Sequence, residues 1–235
     1  MNKLILRLAT IGLLLSLSPA RAGVVIGGTR FIYPAGASSL SVPLRNTAAT
    51  SWLINSHIQS AARWPGADPT PVASPPFIVT PPLFLLAAGQ ENTLRLVYSG
   101  GSLPNDRESL FTLSIAAIPS GKPSANSVQM AFRSAMKLLY RPSGLSGDPQ
   151  QAYRQLRWSL APDGLSVHNP TPYYITLFLL NIDGSARDGA GVVAPFSTRR
   201  LRGCQKAARC AIRWQSINDD GRVMPPVVFN AVENR

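Results

Sequence analysis

Residues 103–119 read LPNDRESLFTLSIAAIP, and residues 127–140 read SVQMAFRSAMKLLY. In the first stretch Phe111, Leu113 and Ile115 alternate with Thr112 and Ser114. In the second, Val128, Met130, Phe132, Met136 and Leu138 share one parity, while Gln129, Arg133 and Lys137 share the other. Successive side chains of a strand point to opposite faces, so both stretches read as half-buried antiparallel strands. The first ends at Pro119 and the second begins about nine residues later, the spacing of a hairpin. Taken alone, the second stretch equally describes an ordinary sandwich strand with one face in the core.

The same alternation recurs outward in both directions. Trp52, Ile54 and Ile58 share a face of SWLINSHIQS (51–60), and Leu94, Leu96 and Tyr98 share a face of NTLRLVYS (92–99). Further strand-like runs are YRQLRWSL (153–160), YYITLFLLNI (173–182), CAIRWQSI (210–217) and VVFNAV (227–232). Proline-rich breaks at 73–77 and 79–83 separate the earlier runs. Residues 141–149, RPSGLSGDP, combine proline, glycine and serine as a linker or sharp elbow would. Short strands at this density predict an all-β fold of two β-sandwich domains, 23–140 and 141–235.

Composition agrees. Apolar residues make up 45% of the 235, enough for packed cores, and charged residues only 14% against about 25% on average. Twenty-one prolines disfavour long helices. Residues 1–22 read as a secretory signal peptide, with Lys3 and Arg7 before the apolar run Leu8 to Leu17 and small residues at Ala20 and Ala22. The run is shorter than the roughly 20 residues a membrane anchor needs. Cleavage after Ala22 removes Lys3, Arg7 and Arg21 and takes the formal charge from +12 to +9. Export to an oxidising compartment makes a Cys204–Cys210 disulfide the expectation, in a small ring that pins one hairpin. No zinc site is expected, because His57 and His168 lie far from the cysteines.

Catalytic chemistry is not expected. There is no GxSxG elbow, no glycine-rich phosphate loop and no HExxH, and two histidines leave few acid–base options. Asp219 and Asp220 lie in a turn-like NDDG context, where aspartate is commonly structural. No cofactor is implied.

The string Leu103-Pro104-Asn105-Asp106-Arg107-Glu108-Ser109-Leu110, followed by Ile118-Pro119, resembles the signature of the PapD-like periplasmic chaperones of the chaperone–usher pilus pathway. Thr29-Arg30, KLLYRP (137–142), NPTPYYITL (169–177) and INDDGR (217–222) resemble further segments of that family, in the same order. The resemblance implies two immunoglobulin-like β-sandwich domains in an L-shaped (boomerang) arrangement, located in the periplasm. It assigns Arg30 and Lys137 to binding of a pilin subunit's C-terminal carboxylate, a task two cations can perform through charge-assisted bonds. It assigns Val128, Met130 and Phe132 to a donor strand that completes the subunit's open sandwich. It groups Glu108, Arg141 and Asp219 as an interdomain ion network. Its partners are pilin subunits and an outer-membrane usher, with no nucleic acid and no membrane insertion. The free chaperone could cap its own donor strand as a dimer.

Some positions depart from the family. Ser114 stands where the signature has asparagine, and Leu85 where relatives often carry a basic residue after TPP. The short loop 119–127, with no flanking cysteine pair, resembles the subclass that assembles rod-like pili. Other readings are a secreted immunoglobulin-like adhesin or surface subunit, a periplasmic hydrolase, and a basic protein that binds anionic surfaces. The last rests on the +9 charge, and against it the arginines are scattered, apart from the cluster Arg199, Arg200, Arg202, Lys206 and Arg209 around the expected disulfide. The joint presence of Arg30, Lys137 and an alternating apolar strand discriminates against the adhesin, and the missing nucleophile–base constellation disfavours the hydrolase.

Overall fold

The computed structural model describes residues 23–68, 74–121, 128–161, 164–204 and 209–232. The leader read at 1–22, most of the loop 119–127 and Lys206 lie outside them. Strands β1 (Val24–Ile26), β2 (Arg30–Pro34), β3 (Leu40–Asn46), β4 (Trp52–Ser60), β5 (Phe77–Thr80), β6 (Leu83–Leu86), β7 (Glu91–Tyr98), β8 (Ser109–Pro119) and β9 (Phe132–Arg141) build the first sandwich. Its two sheets run β1-β3-β7-β5 and β2-β9-β8-β4-β6. Strands β10 (Arg157–Ala161), β11 (Gly164–His168), β12 (Ile175–Thr176), β13 (Phe178–Ile182), β14 (Ser185–Arg187), β15 (Val192–Val193), β16 (Thr198–Leu201), β17 (Arg209–Gln215) and β18 (Val227–Val232) build the second. There the sheets run β10-β11-β16, β12-β15 and β14-β13-β17-β18. Both units are immunoglobulin-like β-sandwiches.

Alternation explains the first core. Trp52, Ile54, Leu94, Leu96, Phe111, Leu113, Ile115 and Leu138 meet between the two sheets. The second core gathers around Tyr153, Trp158, Val167, Ile212 and Trp214. A third cluster joins the units: Ala61, Leu110 and Leu139 of the first pack with Tyr174, Val192 and Ala194 of the second.

The N-terminal chain changes sheets between Ile26 and Arg30, since β1 pairs with β3 while β2 pairs in parallel with β9. Gly27 permits the crossing: a Cβ there would lie 2.4 Å from Pro43 Cγ, and its amide donates to the Pro43 carbonyl at 2.9 Å.

Five local expectations are corrected. Strand β9 begins at Phe132 and not near Ser127, because its ladder with β8 ends at the pair Ala117–Phe132 and residues 118–119 of β8 pair only with β4. Strand β8 is buried on both faces from Leu110 to Ala117, not half-buried. It is central in its sheet, Leu110 enters the cluster between the units, and the other outward residues are small. Residues 173–182 are two strands, because the chain leaves β15 for β17 near Leu177, with an irregular register and a left-handed Leu179 (φ 46°). Residues 152–155 form a 3-10 turn before β10. The disulfide Cys204–Cys210 is present, but it closes the passage from β16 to β17, which lie in different sheets, and pins no hairpin.

Candidate functional site

The parallel ladder of β2 on β9 places Arg30 opposite Lys137. The Arg30 side chain is only 7% exposed. Its Nη1 donates to the Ile217 carbonyl, and its Nη2 stands 4.0 Å from Asp219 Oδ1. Burial lowers the Arg30 pKa, while Asp219 and Glu108 act in the opposite sense. Lys137 is half-buried, and among the described residues no carboxylate lies within ion-pair reach of it. Burial, followed by the neighbouring charge of Arg30, lowers its pKa to about 8. Its Nζ sits 4.2 Å from the centroid of the Trp64 ring.

Beside this pair, Arg141 ties the two units together. Its Nε donates to Glu108 Oε1 at 2.7 Å, and its Nη1 and Nη2 donate to Asp219 Oδ2 and Oδ1 at 2.6 and 3.0 Å. Such a forked pair fixes orientation as well as charge. The Tyr174 amide donates to Glu108 Oε2 at 2.7 Å, and the Glu108 amide donates to the Pro172 carbonyl at 2.9 Å. Burial pushes the Glu108 carboxyl up, against the pull of Arg141 and of the Tyr174 amide. Burial also works against the Arg141 charge, but the bonds to Asp219 and the nearby Glu108 outweigh it and raise its pKa. Arg141 thus bridges Glu108 and Asp219, Arg30 stands beside Asp219, and Lys137 reaches neither carboxylate. The cavity inside the network is only about 20 Å³, and Lys137 does not line it.

The structure brings Arg30, Lys137, Glu108, Arg141 and Asp219 into one cleft. Val128, Met130 and Phe132 stand apart from it along the chain that leads into β9. They are 90%, 62% and 54% exposed. The row they begin continues inward through the buried Met136 and Leu138. Strand β2 covers only residues 137–141 of β9, so residues 132–136 are a free sheet edge among the described residues. An open cavity of about 290 Å³ lies along that edge, lined by Val24, Ile26, Ile115, Ala117 and Phe132 among others.

Of the departures, Ser114 is 1% exposed and its hydroxyl has no partner among the described residues. Leu85 is 60% exposed on the edge strand β6, in one row with Leu53 and Ile118. Of the described members of the basic cluster, Arg200, Arg202 and Arg209 are exposed. Arg199 is turned inward, and its Nη1 donates to the carbonyls of Ala190 and of Val192, the latter at 2.9 Å. No group of three or more His, Cys, Asp or Glu among the described residues could hold a metal ion. No helix among them is long and apolar enough to cross a membrane. Sequence reasoning missed Trp64 and the Ile217 carbonyl. Neither carries a pattern signal, because one lies in a loop and the other is backbone.

Residues 23–146 match the family model described as pili and flagellar-assembly chaperone, PapD N-terminal domain, and residues 151–227 match pili assembly chaperone PapD, C-terminal domain. The fimbrial chaperone YcbF of Escherichia coli K12 is 48% identical over 221 residues, 94% of this chain and 93% of that one. Chaperone protein FimC of the same strain is 38% identical over 211 residues, 88% of this chain and 83% of that one. Among solved structures, a chain of the Salmonella enterica SafA pilin–SafB chaperone complex superposes with a TM-score of 0.74 at 30% identity. It covers 90% of this chain and 98% of its own length. The chain thus belongs to the PapD-like fimbrial chaperones, a family of pilus-assembly proteins and not of enzymes.

Proposed function

We propose that the protein is a periplasmic chaperone that holds pilin subunits by donor-strand complementation and delivers them to an outer-membrane usher. In this reading residues 1–22 are a leader removed on export, 23–140 form the client-holding domain and 141–235 the second domain. Arg30 and Lys137 bind the subunit's C-terminal carboxylate. Val128, Met130 and Phe132 enter the open core of the subunit, whose strand pairs with the free edge of β9. Glu108, Arg141 and Asp219 hold the angle between the domains, so that anchor and donor strand keep their separation.

The observation that carries this reading is the layout of β9. One strand presents an unneutralised cation at Lys137, opposite Arg30, and an unpaired edge with exposed apolar residues just N-terminal to it. A carboxylate at one end and backbone pairing along the other set the register of an incoming strand. The complex with the SafA pilin formed by the SafB chaperone supports a pilin client for this chain.

The test is co-expression in a bacterial periplasm with candidate pilins that lack their own donor segment. Pull-down and intact-mass measurement should recover a one-to-one complex with at least one pilin, and the chaperone's mass should match a start at Gly23. Recovery that is unchanged by Lys137→Ala and Arg30→Ala would sink the anchor.

A further inference from the structure

We propose that Trp64 is a positioning residue of the client anchor, holding the Lys137 ammonium ready for a carboxylate without neutralising it. The inference rests on the anchor reading above and adds to it a residue from a loop outside both ligand-binding strands.

The loop leaves β4 at Ser60, turns through the 3-10 helix Ala61–Arg63 and sets Trp64 at its end. The Trp64 amide donates to the Ala61 carbonyl at 2.8 Å, and the Ala67 amide to the Trp64 carbonyl at 3.0 Å. The ring then lies against the Lys137 ammonium, 4.2 Å from centroid to nitrogen. The negative face of an indole attracts a cation through its quadrupole and brings no net charge. A carboxylate in the same place would hold Lys137 as well, but it would compete with the incoming anion. The ring orients the ammonium and leaves its charge available. Arg63, itself exposed, lies farther from the same ring, at 5.5 Å.

The second domain holds the ring in place. The Val192 amide donates to the Pro65 carbonyl at 2.8 Å. A Cβ on Gly66 would lie 2.1 Å from the Val192 carbonyl oxygen, and one on Gly191 would lie 2.1 Å from the Pro65 carbonyl oxygen. Both glycines have φ above +80°, so two backbones meet where only glycine fits. Trp64 also packs on the cluster of Ala61, Tyr174, Val192 and Ala194. Its Nε1 is buried with no acceptor among the described residues. The core indoles of Trp52 and Trp158 share that feature, so it is the ammonium against the ring face that sets Trp64 apart from them.

The chain has four lysines, Lys3, Lys122, Lys137 and Lys206, so lysine side-chain NMR is sparse enough to follow Lys137 directly. Acetate serves as the probe at pH 6.5, with the full exported chain in four forms: wild type, Trp64→Leu, wild type with its tryptophans replaced by trifluorotryptophan, and Trp64→Leu with the same replacement. Fluorination withdraws the negative face of the ring at nearly constant shape. The proposal expects saturable acetate shifts at Lys137, weakened about 3- to 10-fold in Trp64→Leu and by fluorination of the wild type. Fluorination should have no further effect in Trp64→Leu. Melting temperatures separate this from unfolding, and the fluorinated wild type decides the matter if Trp64→Leu does not fold. Unchanged acetate affinity in the fluorinated wild type overturns the role of Trp64 and leaves the anchor standing. Absence of any saturable Lys137 shift in the wild type overturns the anchor, and this inference with it.

Discussion

Lys137 faces Arg30 across a parallel ladder, and its ammonium lies against an uncharged ring, with no carboxylate in ion-pair reach among the described residues. Its pKa of about 8 lies below the ordinary 10.5. Between those values the unfolded chain binds the proton that the folded chain has released. Stability therefore rises with pH from about 8 to 10.5, and the cost of holding the charge is fully present below 8. Lys137→Met should abolish that rise and increase the melting temperature at pH 7 by about 2–4 °C, since 1 kcal/mol moves a chain of this size by that much. Carboxylate binding has the opposite slope, falling up to tenfold per pH unit above about 8. Thermal melts and binding at pH 7 and 9.5 check both. A carboxylate affinity that is flat across this range would exclude Lys137 as the anchor.

Arg141 is the cation that pairs with the Glu108 carboxyl, which is only 2% exposed. Arg141→Ala leaves that carboxylate buried beside Asp219 and should cost about 3–5 kcal/mol in urea unfolding. Arg141→Lys keeps a charge but not the fork, and should fall between. A loss under about 1 kcal/mol would put this network in the weak class of surface pairs.

Val128 and Met130 are exposed, so Val128→Ser and Met130→Ser should change stability by less than about 0.5 kcal/mol. Each should nevertheless lower pilin recovery, because burying a large apolar side chain in a client contributes about 1.5–3 kcal/mol. Leu138→Ser, in the same row but fully buried, should instead unfold the first domain. Normal recovery with both serine variants would remove this segment from the mechanism.

Gly191 and Gly189 separate a packing effect from backbone strain. Both have positive φ, but a Cβ on Gly189 meets nothing within 4 Å, while one on Gly191 meets the Pro65 carbonyl oxygen at 2.1 Å. Gly189→Ala should cost about 1 kcal/mol from backbone conformation alone. Gly191→Ala should cost more, and hydrogen exchange at the Val192 amide should speed up as the 61–68 loop unseats. Equal costs and unchanged exchange would show that the loop is not seated through this contact.

Much of the fold was legible because alternation is a local property. The runs at 51–60, 92–99, 210–217 and 227–232 each became a strand within two residues of their limits. What misled was also local: 128–131 continue the parity of β9, yet among the described residues no neighbouring strand reaches them. A strand exists only where a second backbone lies alongside, and parity does not report that. The break in 173–182 was hidden for the same reason, since both pieces are apolar while their partners lie in different sheets.

The sequence by itself determined the class of the protein: two alternating, proline-punctuated halves and a family signature running from Arg30 to Asp219. Residue types at short spacing carry that information, because strand faces and turn chemistry are set by near neighbours. Only the tertiary structure decided how the charges are shared. Arg141 meets Glu108 from 33 residues away and Asp219 from 78, and the three settle which cations remain free. Among the described residues no carboxylate reaches Lys137, and its ammonium lies against a ring from a loop that the second domain holds down. Such balances depend on burial and on distances of a few ångströms between remote segments. Neither quantity is written in the spacing of residues along a strand.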